Sequence, residues 1–473
     1  MPYMKRRSWW KSASVSAALV LAASGALAAA PAQPDRYPAN SGAAAPVVPA
    51  TWPQFGHDAR LTGFNPAETK ITRNTVAGLS LEYVGLGPAD PERDAISQSS
   101  PAVVGTVAYV GTDSGHLLAL PATGCGSADC APLWSAKLSN GVFTTPAVAG
   151  GLVFVASAGN LENGLGTLYA FKAGGCGRPT CTPVWTAPVP GAGTPTVSDG
   201  VVYLEADDGR LLAFLATGCG PATTCSPLWT GILKTSAQAP PAVANGLVYA
   251  TSADRLVAFR AAGCGTGTCP PVWASQPVAG ADTGSGLIQG VGPTVNGDKV
   301  YFASVDFASP NGKTSTVYAY SSSACSSGTT TNLNCTPLFV AHPADFDSIV
   351  ANLTVANGVL YGSAVGAVYA FDANGCGRPE CGFLWLGGLG QIAGTGASPS
   401  VAGGVVYYTQ NDGQIGGFDA AGCGDITCTP LFFAQTVPLD GFMTTPVVVN
   451  GRLYVAGPAV NQQPSMWVYH LTP

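Results

Sequence analysis

The chain has 473 residues and a formal net charge of −6, and only 10% of its residues are Asp, Glu, Lys or Arg. So sparse and acid-leaning a charge set lacks the cationic footprint of a nucleic-acid binder. Gly (61) and Pro (38) are abundant, and after residue 30 no run approaches the roughly eighteen consecutive apolar residues of a membrane span.

Residues 1–30 read as a signal peptide. Lys5, Arg6, Arg7 and Lys11 form a basic start, an apolar run follows from Ala13 to Ala28, and small residues from Ala26 to Ala30 fit an A-x-A cleavage site. Arg6-Arg7-Ser8-Trp9-Trp10-Lys11 also resembles a twin-arginine signal, so the general and twin-arginine export routes both stay open. Cleavage would remove four cations and no acid, moving the charge from −6 to −10. The first cysteine is Cys125, too far along for a lipoprotein anchor. The expectation is a secreted or periplasmic protein. Residues 31–50 are a Pro/Ala-rich leader. Residues 51–473 remain, too many for one ordinary core unless the fold is built from repeats.

Repeats are what the sequence shows next. The template SSPAVVGTVAYVGTDSGHLLALPATGCGSADCAPLW starts at Ser99 and returns at Thr144, Gly193, Ala239, Val291, Ala351, Ala397 and Thr444. That is eight copies at spacings of 45 to 60 residues; the sixth lacks the proline and the fifth carries insertions. Each copy reads as four short strands: P-x-V, then V-x-Y or V-x-F with period-2 alternation, then L-x-A-F, then P-L-W. Such units bury both faces only against neighbours, which predicts an all-β, eight-bladed β-propeller, with seven blades as the runner-up. The last copy ends at Leu471 without a fourth strand, and Leu79–Val84 looks like an outer strand without a blade. Pairing the two closes the ring and removes the exposed edges.

The fourteen cysteines form one local pair in each of the first seven copies: Cys125 with Cys130, Cys176 with Cys181, Cys219 with Cys225, Cys264 with Cys269, Cys325 with Cys335, Cys376 with Cys381 and Cys423 with Cys428. An aromatic residue follows each second cysteine by four positions, from Trp134 to Phe432. In an exported chain this pattern reads as disulfides within each repeat. Intervals of four, five and nine residues, with only four histidines in the chain, do not match a zinc site. A six-residue loop closed in this way is worth at most about 2 kcal/mol.

The repeat resembles that of the pyrroloquinoline-quinone (PQQ)-like propeller family, whose motif A-x-D-x-x-T-G-x-x-x-W joins the third and fourth strands. Ala119–Gly124 and Trp134 match its frame, as do Ala170 with Trp185, Ala213 with Trp229, Ala258 with Trp273 and Ala370 with Trp385. The motif's Asp survives only at Asp372 and Asp419. Trp52–Asp58 and Asn74–Leu79 look like the entry segment of such proteins. The resemblance implies that the tryptophans dock between adjacent blades. It also implies two kinds of activity. Quinoprotein dehydrogenases of the family hold PQQ and Ca²⁺ over a disulfide between adjacent cysteines, while cofactor-free members serve as binding scaffolds. No Cys-Cys dipeptide occurs here, and no Glu/Asn/Asp ligand set aligns. The expectation is therefore a non-enzymatic binding or scaffold protein with no cofactor and no catalytic or metal residues. Its partner is an extracellular or envelope protein or a small molecule. The alternative is a PQQ-dependent alcohol or sugar dehydrogenase with a divergent site.

Strand parity puts the connectors between blades and the turns between second and third strands on one face, with the disulfide loops on the other. By analogy with other propellers, the mouth of the channel on the connector face is where a ligand would bind. The longest connectors, 278–292 and 340–352, offer Asp282, Gln289, His342, Asp345 and Asp347 as candidate ligand residues. Glu205, Asp207 and Asp208 allow a cation site, but Asp208-Gly209 is also what a tight hairpin demands. His57 reads as structural. No G-x-S-x-G or H-E-x-x-H motif is present.

Overall fold

The structure is a computed structural model. It describes residues 51–471 apart from 89–98, 143, 160–163, 192, 235–237, 253, 266, 279–290, 307–314, 327–331, 345–346, 348, 350, 390–395, 437–443 and 461–462. Each repeat folds as an antiparallel sheet in sequence order. Blade 1 is Ala102–Val104, Val107–Gly111, His116–Pro121 and Trp134–Lys137, and blades 2 to 7 repeat the plan up to Phe432–Gln435. Blade 8 takes three strands from the C-terminus (Val447–Val449, Arg452–Val460, Gln463–Leu471) and its fourth, Leu79–Leu86, from the N-terminal part of the chain. That strand runs antiparallel to the last, with Leu79 opposite Leu471 and, beyond a bulge, Tyr83 opposite Val468. The ring closes as the repeat pattern predicts, with eight blades.

The short first strands face the axis and lie against one another around the whole ring, blade 1 touching both blade 2 and blade 8. Eight apolar clusters fill the eight junctions. Tyr203, Trp229, Val248 and Phe259, for example, form the layer between blades 3 and 4. This is the propeller solution to a sheet whose two faces are both apolar: each face is buried by the next sheet rather than by a common core.

All seven disulfides close within their own repeats, as the local pairing predicts. Cys125 is bonded to Cys130, Cys176 to Cys181, Cys219 to Cys225 and Cys264 to Cys269. Cys325 is bonded to Cys335, Cys376 to Cys381 and Cys423 to Cys428. Their loops also do something the spacing alone does not show. The second cysteine of each loop is buried against the outer strand of the preceding blade. In five loops it pairs there in parallel register: Cys130 with Gly85, Cys269 with Gly231, Cys335 with Ser275, Cys381 with Ala341 and Cys428 with Gly387. In the other two the N–H groups of Cys181 and Cys225 donate to Ser135 O and Thr186 O (2.8 Å each). Each loop is thus a clasp between blades. The aromatic residue four positions on docks as the resemblance implies: Trp134 rests on Gly175 of the next blade, whose added Cβ would lie 2.7 Å from the indole. Gly175 also has φ +79, so both space and backbone require glycine there. The same contact recurs for Trp185 on Gly218, Trp229 on Gly263 and Trp385 on Gly422.

The junction between blades 7 and 8 differs, because blade 8 has no Cys loop. The turn Val76–Gly78 lies against the outer strand of blade 7 instead. Glu68 accepts from the backbone N–H groups of Lys70, Ile71 and Gly451, tying the N-terminal segment to the first turn of blade 8.

Candidate functional site

A propeller's innermost strands leave edge N–H and C=O groups pointing at the axis, and in a narrow channel these need partners. Residues 52–65 supply them. Trp52 exchanges both backbone bonds with Val103 of blade 1 (2.8 Å each). Val148 of blade 2 donates to Pro53 O (2.7 Å), and Val197 of blade 3 to Gln54 Oε1 (2.8 Å). Val243, Val295, Val355 and Val401 of blades 4 to 7 donate to the carbonyls of Ala59, Arg60, Thr62 and Gly63. Asn65 Nδ2 donates to Val448 O of blade 8 (2.9 Å). In fourteen residues the segment visits every blade in order and plugs the channel. Asp58 braces its turn by accepting from Arg60 and Thr62.

On the connector side of this plug lies a cavity of about 530 Å³. In seven of the eight blades, all but blade 5, its wall includes the residue just before the repeat's proline position, together with parts of the connector leading to it. That position is Ser100, Thr145, Thr194, Pro240, Gly292, Asn352, Ser398 and Thr445 in blades 1 to 8. Several are linked blade to blade. The N–H of Thr445 donates to Ser100 Oγ (3.1 Å), Thr145 N–H to Thr194 Oγ1 (3.4 Å), Gly292 N–H to Asn352 Oδ1 (3.0 Å) and Asn352 N–H to Ser398 Oγ (3.0 Å). The belt has no side-chain acceptor at Pro240 or Gly292. Phe55 of the plug, Gln238 and Asp207 complete the polar and aromatic lining.

Asp207 is the one ionisable side chain among the described lining residues. Its N–H donates to Pro190 O and Gly191 O, and a Cβ at Gly191 would lie 1.8 Å from its carboxylate. Gly191 therefore keeps the place of this carboxylate open. Partial burial, and then the neighbouring Asp208, push the Asp207 carboxyl above its ordinary value.

Residues 58–175 match the family model described as outer membrane protein assembly factor BamB. Among solved structures the chain is similar to BamB from Moraxella catarrhalis, at 16% identity and a TM-score of 0.56, over 83% of this chain and 99% of that one. It is also similar to the quinohemoprotein alcohol dehydrogenase of Comamonas testosteroni (13%, TM-score 0.60, 89% and 80%) and to a europium-containing methanol dehydrogenase (14%, TM-score 0.61, 89% and 98%). The fold is an eight-bladed β-propeller, the architecture these similar structures share. No curated protein sequence matches the chain, and at these identities the structural likeness shows the fold alone.

The likeness to these dehydrogenases invites a test for PQQ, a tricarboxylate. The described cavity lining holds no Lys, Arg or His to neutralise three carboxylates and one Asp to repel them. Among the described residues no three His, Cys, Asp or Glu side chains converge as a metal-ligand set. These residues do not fit PQQ with a bound Ca²⁺.

The residues singled out from the sequence fare unevenly. Asp282, Gln289 and Asp345 lie outside the described residues. His342 and Asp347 do not line the cavity. The His342 ring meets Ser315 O through Nδ1 (3.1 Å), and the Tyr369 hydroxyl donates to Asp347. Both are held by blades 5 and 6. Glu205 is wholly buried and accepts from Thr251 N–H (2.8 Å) and Ala239 N–H (3.3 Å) of blade 4. In blades 1, 2 and 8 the corresponding strand N–H is capped by the hydroxyl of Ser99, Thr144 or Thr444, whereas blade 4 has Ala239 at that place. Glu205 substitutes for a missing hydroxyl. Asp208 pairs with Arg210. His57 sits in the plug, edge-on to Trp52, and burial lowers its pKa against the pull of Asp58.

Proposed function

We propose that this chain is an exported, non-enzymatic binding protein that receives its ligand in the connector-face cavity. The observation that carries the reading is the lining itself: hydroxyls, amides and backbone from seven blades, one carboxylate, and no nucleophile paired with a base among the described residues. Such a surface offers hydrogen bonds for recognition without the paired acid and base that hydrolysis or proton abstraction needs. Export is supported by the basic and apolar pattern of residues 1–30 and by seven disulfides, which suit an oxidising, extracytoplasmic compartment. Among the described residues no helix is long and apolar enough to cross a membrane. The likeness to BamB supports a role among envelope proteins.

The competing reading, a PQQ-dependent dehydrogenase, draws on the fold shared with the alcohol dehydrogenases. Purified protein incubated with PQQ and Ca²⁺, then supplied with alcohols or sugars and an artificial electron acceptor, distinguishes the two. No dye reduction above the protein-free control is expected. Reproducible substrate-dependent reduction would overturn the binding-protein reading.

A further inference from the structure

We infer that the connector-face cavity is built for an uncharged, polyhydroxylated ligand of mono- or disaccharide size, held by Asp207 and the hydroxyl belt above Phe55. The inference rests on the binding-protein reading and adds the chemistry of what is bound.

The belt's own hydrogen bonds set the polarity of the site. Ser100, Thr194 and Ser398 each accept a backbone N–H from the neighbouring blade through the hydroxyl oxygen. A hydroxyl that accepts still has its proton to donate. These three side chains, fixed by the ring, therefore present O–H donors to the cavity from well-separated points of its wall. The counterpart is Asp207, an acceptor-only group when ionised and able to take two hydroxyl protons of a vicinal diol. A ligand that satisfies both must carry several acceptors and at least one adjacent pair of donors. Polyols do.

Charge narrows the class further. With Asp207 and no cation in the described lining, an anion meets repulsion and finds no countercharge. Phe55 adds an apolar surface suited to the C–H face of a sugar ring. The volume of about 530 Å³ lies within the range of small-molecule sites.

Backbone strain marks the same place. Outside Asn and Asp, the non-glycine residues with positive φ among the described residues are His57, Leu61 and Gln238. The first two belong to the plug and Gln238 (φ +54) lines the cavity. Gly193 lies so close that an added Cβ would be 2.6 Å from Gln238 O. A long side chain kept in a sparsely populated backbone conformation at the cavity wall adds a second observation at the same place.

Isothermal titration tests this with glucose, galactose, mannose, myo-inositol, sucrose and trehalose, alongside glucuronate and glucosamine as charged probes. At least one neutral compound is expected to bind, and glucuronate is not. Asp207→Asn should weaken the neutral ligand at least tenfold. Asp208→Asn, whose carboxylate is paired with Arg210 away from the lining, should leave its affinity unchanged, and both variants should keep the wild-type circular dichroism spectrum. Silence from all six neutral compounds overturns the proposal, as does an unchanged affinity in folded Asp207→Asn. Glucosamine binding more tightly than glucose would overturn it in favour of an ammonium ligand. The titrations contain neither PQQ nor electron acceptor. Their failure leaves the binding-protein reading standing, while dye reduction in the dehydrogenase assay removes that reading whatever the sugars do.

Discussion

The second-strand tyrosines record how each junction is made. In five blades the hydroxyl crosses to a carbonyl of the next: Tyr109 to Ala173, Tyr203 to Ala261, Tyr301 to Ala373, Tyr361 to Ala420 and Tyr454 to Ala122. Tyr407 of blade 7 is as deeply buried, yet its hydroxyl has no hydrogen-bond partner among the described residues. Burial pushes its phenol far above the ordinary value. A buried hydroxyl without a partner forfeits its hydration for nothing, so Tyr407→Phe should be neutral or stabilising. Tyr361→Phe should lose about 1 kcal/mol. Urea unfolding midpoints of the two variants check the contrast, and equal losses would contradict it. At this scale the residues most conspicuous in the sequence and the described lining of the cavity are different sets. His342 and Asp347 attract attention as charge-bearing residues in a long connector but are bound to their own blades. Ser100, Thr145, Thr194, Asn352, Ser398 and Thr445 stand in plain view before the repeat proline and read as turn residues. Their convergence is a property of the ring, invisible in any one copy. The signal that was available is positional: the residue before the proline position is Ser, Thr or Asn in six of the eight copies.

Among the elements, the strand Leu79–Leu86 carries the closure of the ring, and its outer face is held by an ion pair. Arg452 donates through Nε and Nη2 to the two oxygens of Glu82 (2.7 and 2.8 Å). These bonds hold the Glu82 carboxyl below its ordinary value of 4.5. The pair's contribution is therefore complete above that value and is lost as pH falls through the lowered one. Its exposure to solvent keeps the contribution small. The melting temperature of Glu82→Gln should fall below that of the native protein at pH 7, and the gap should close toward pH 3. A gap that persists in acid would assign the loss to packing instead. Leu81 is 50% exposed, although it alternates with Leu79 and Tyr83, which are buried. The bulge between Leu81 and Tyr83 shifts the inward face by one residue, which a period-2 pattern does not foretell. The other strands were legible because P-x-V, V-x-Y and P-L-W recur with fixed spacing. The cysteine pairs were legible for the same reason, but the grip of Cys181, Cys225, Cys335 and Cys381 on the preceding blade was not, since it runs through backbone pairing across a junction. The plug was hidden too, because it offers mainly backbone carbonyls, and any residue type has one.

At the scale of the whole molecule, closure predicts a sharp difference between two truncations. Removing residues 31–50 should change little, since that Pro/Ala leader has no pattern that packs. Removing 31–86 deletes the closing strand, and burial of residues the size of Leu79 and Tyr83 is worth roughly 1.5–3 kcal/mol each. It also strips the hydrogen-bond partners of eight inner strands. Soluble yield and melting temperature should collapse for the longer deletion alone, and equal behaviour of the two would refute ring closure by this strand. The plug has one more consequence. Repeat proteins commonly gain or lose units, because each unit answers only to its neighbours. Here residues 52–65 act as a gauge with one mark per blade, cut to a length of eight. A ninth repeat would arrive with an inner strand that no mark reaches, and a ring of seven would leave a mark with nothing to meet. Copy number in this protein is thus recorded twice, once in the repeats and once in a stretch of chain that shares none of their sequence. The two records can change only together.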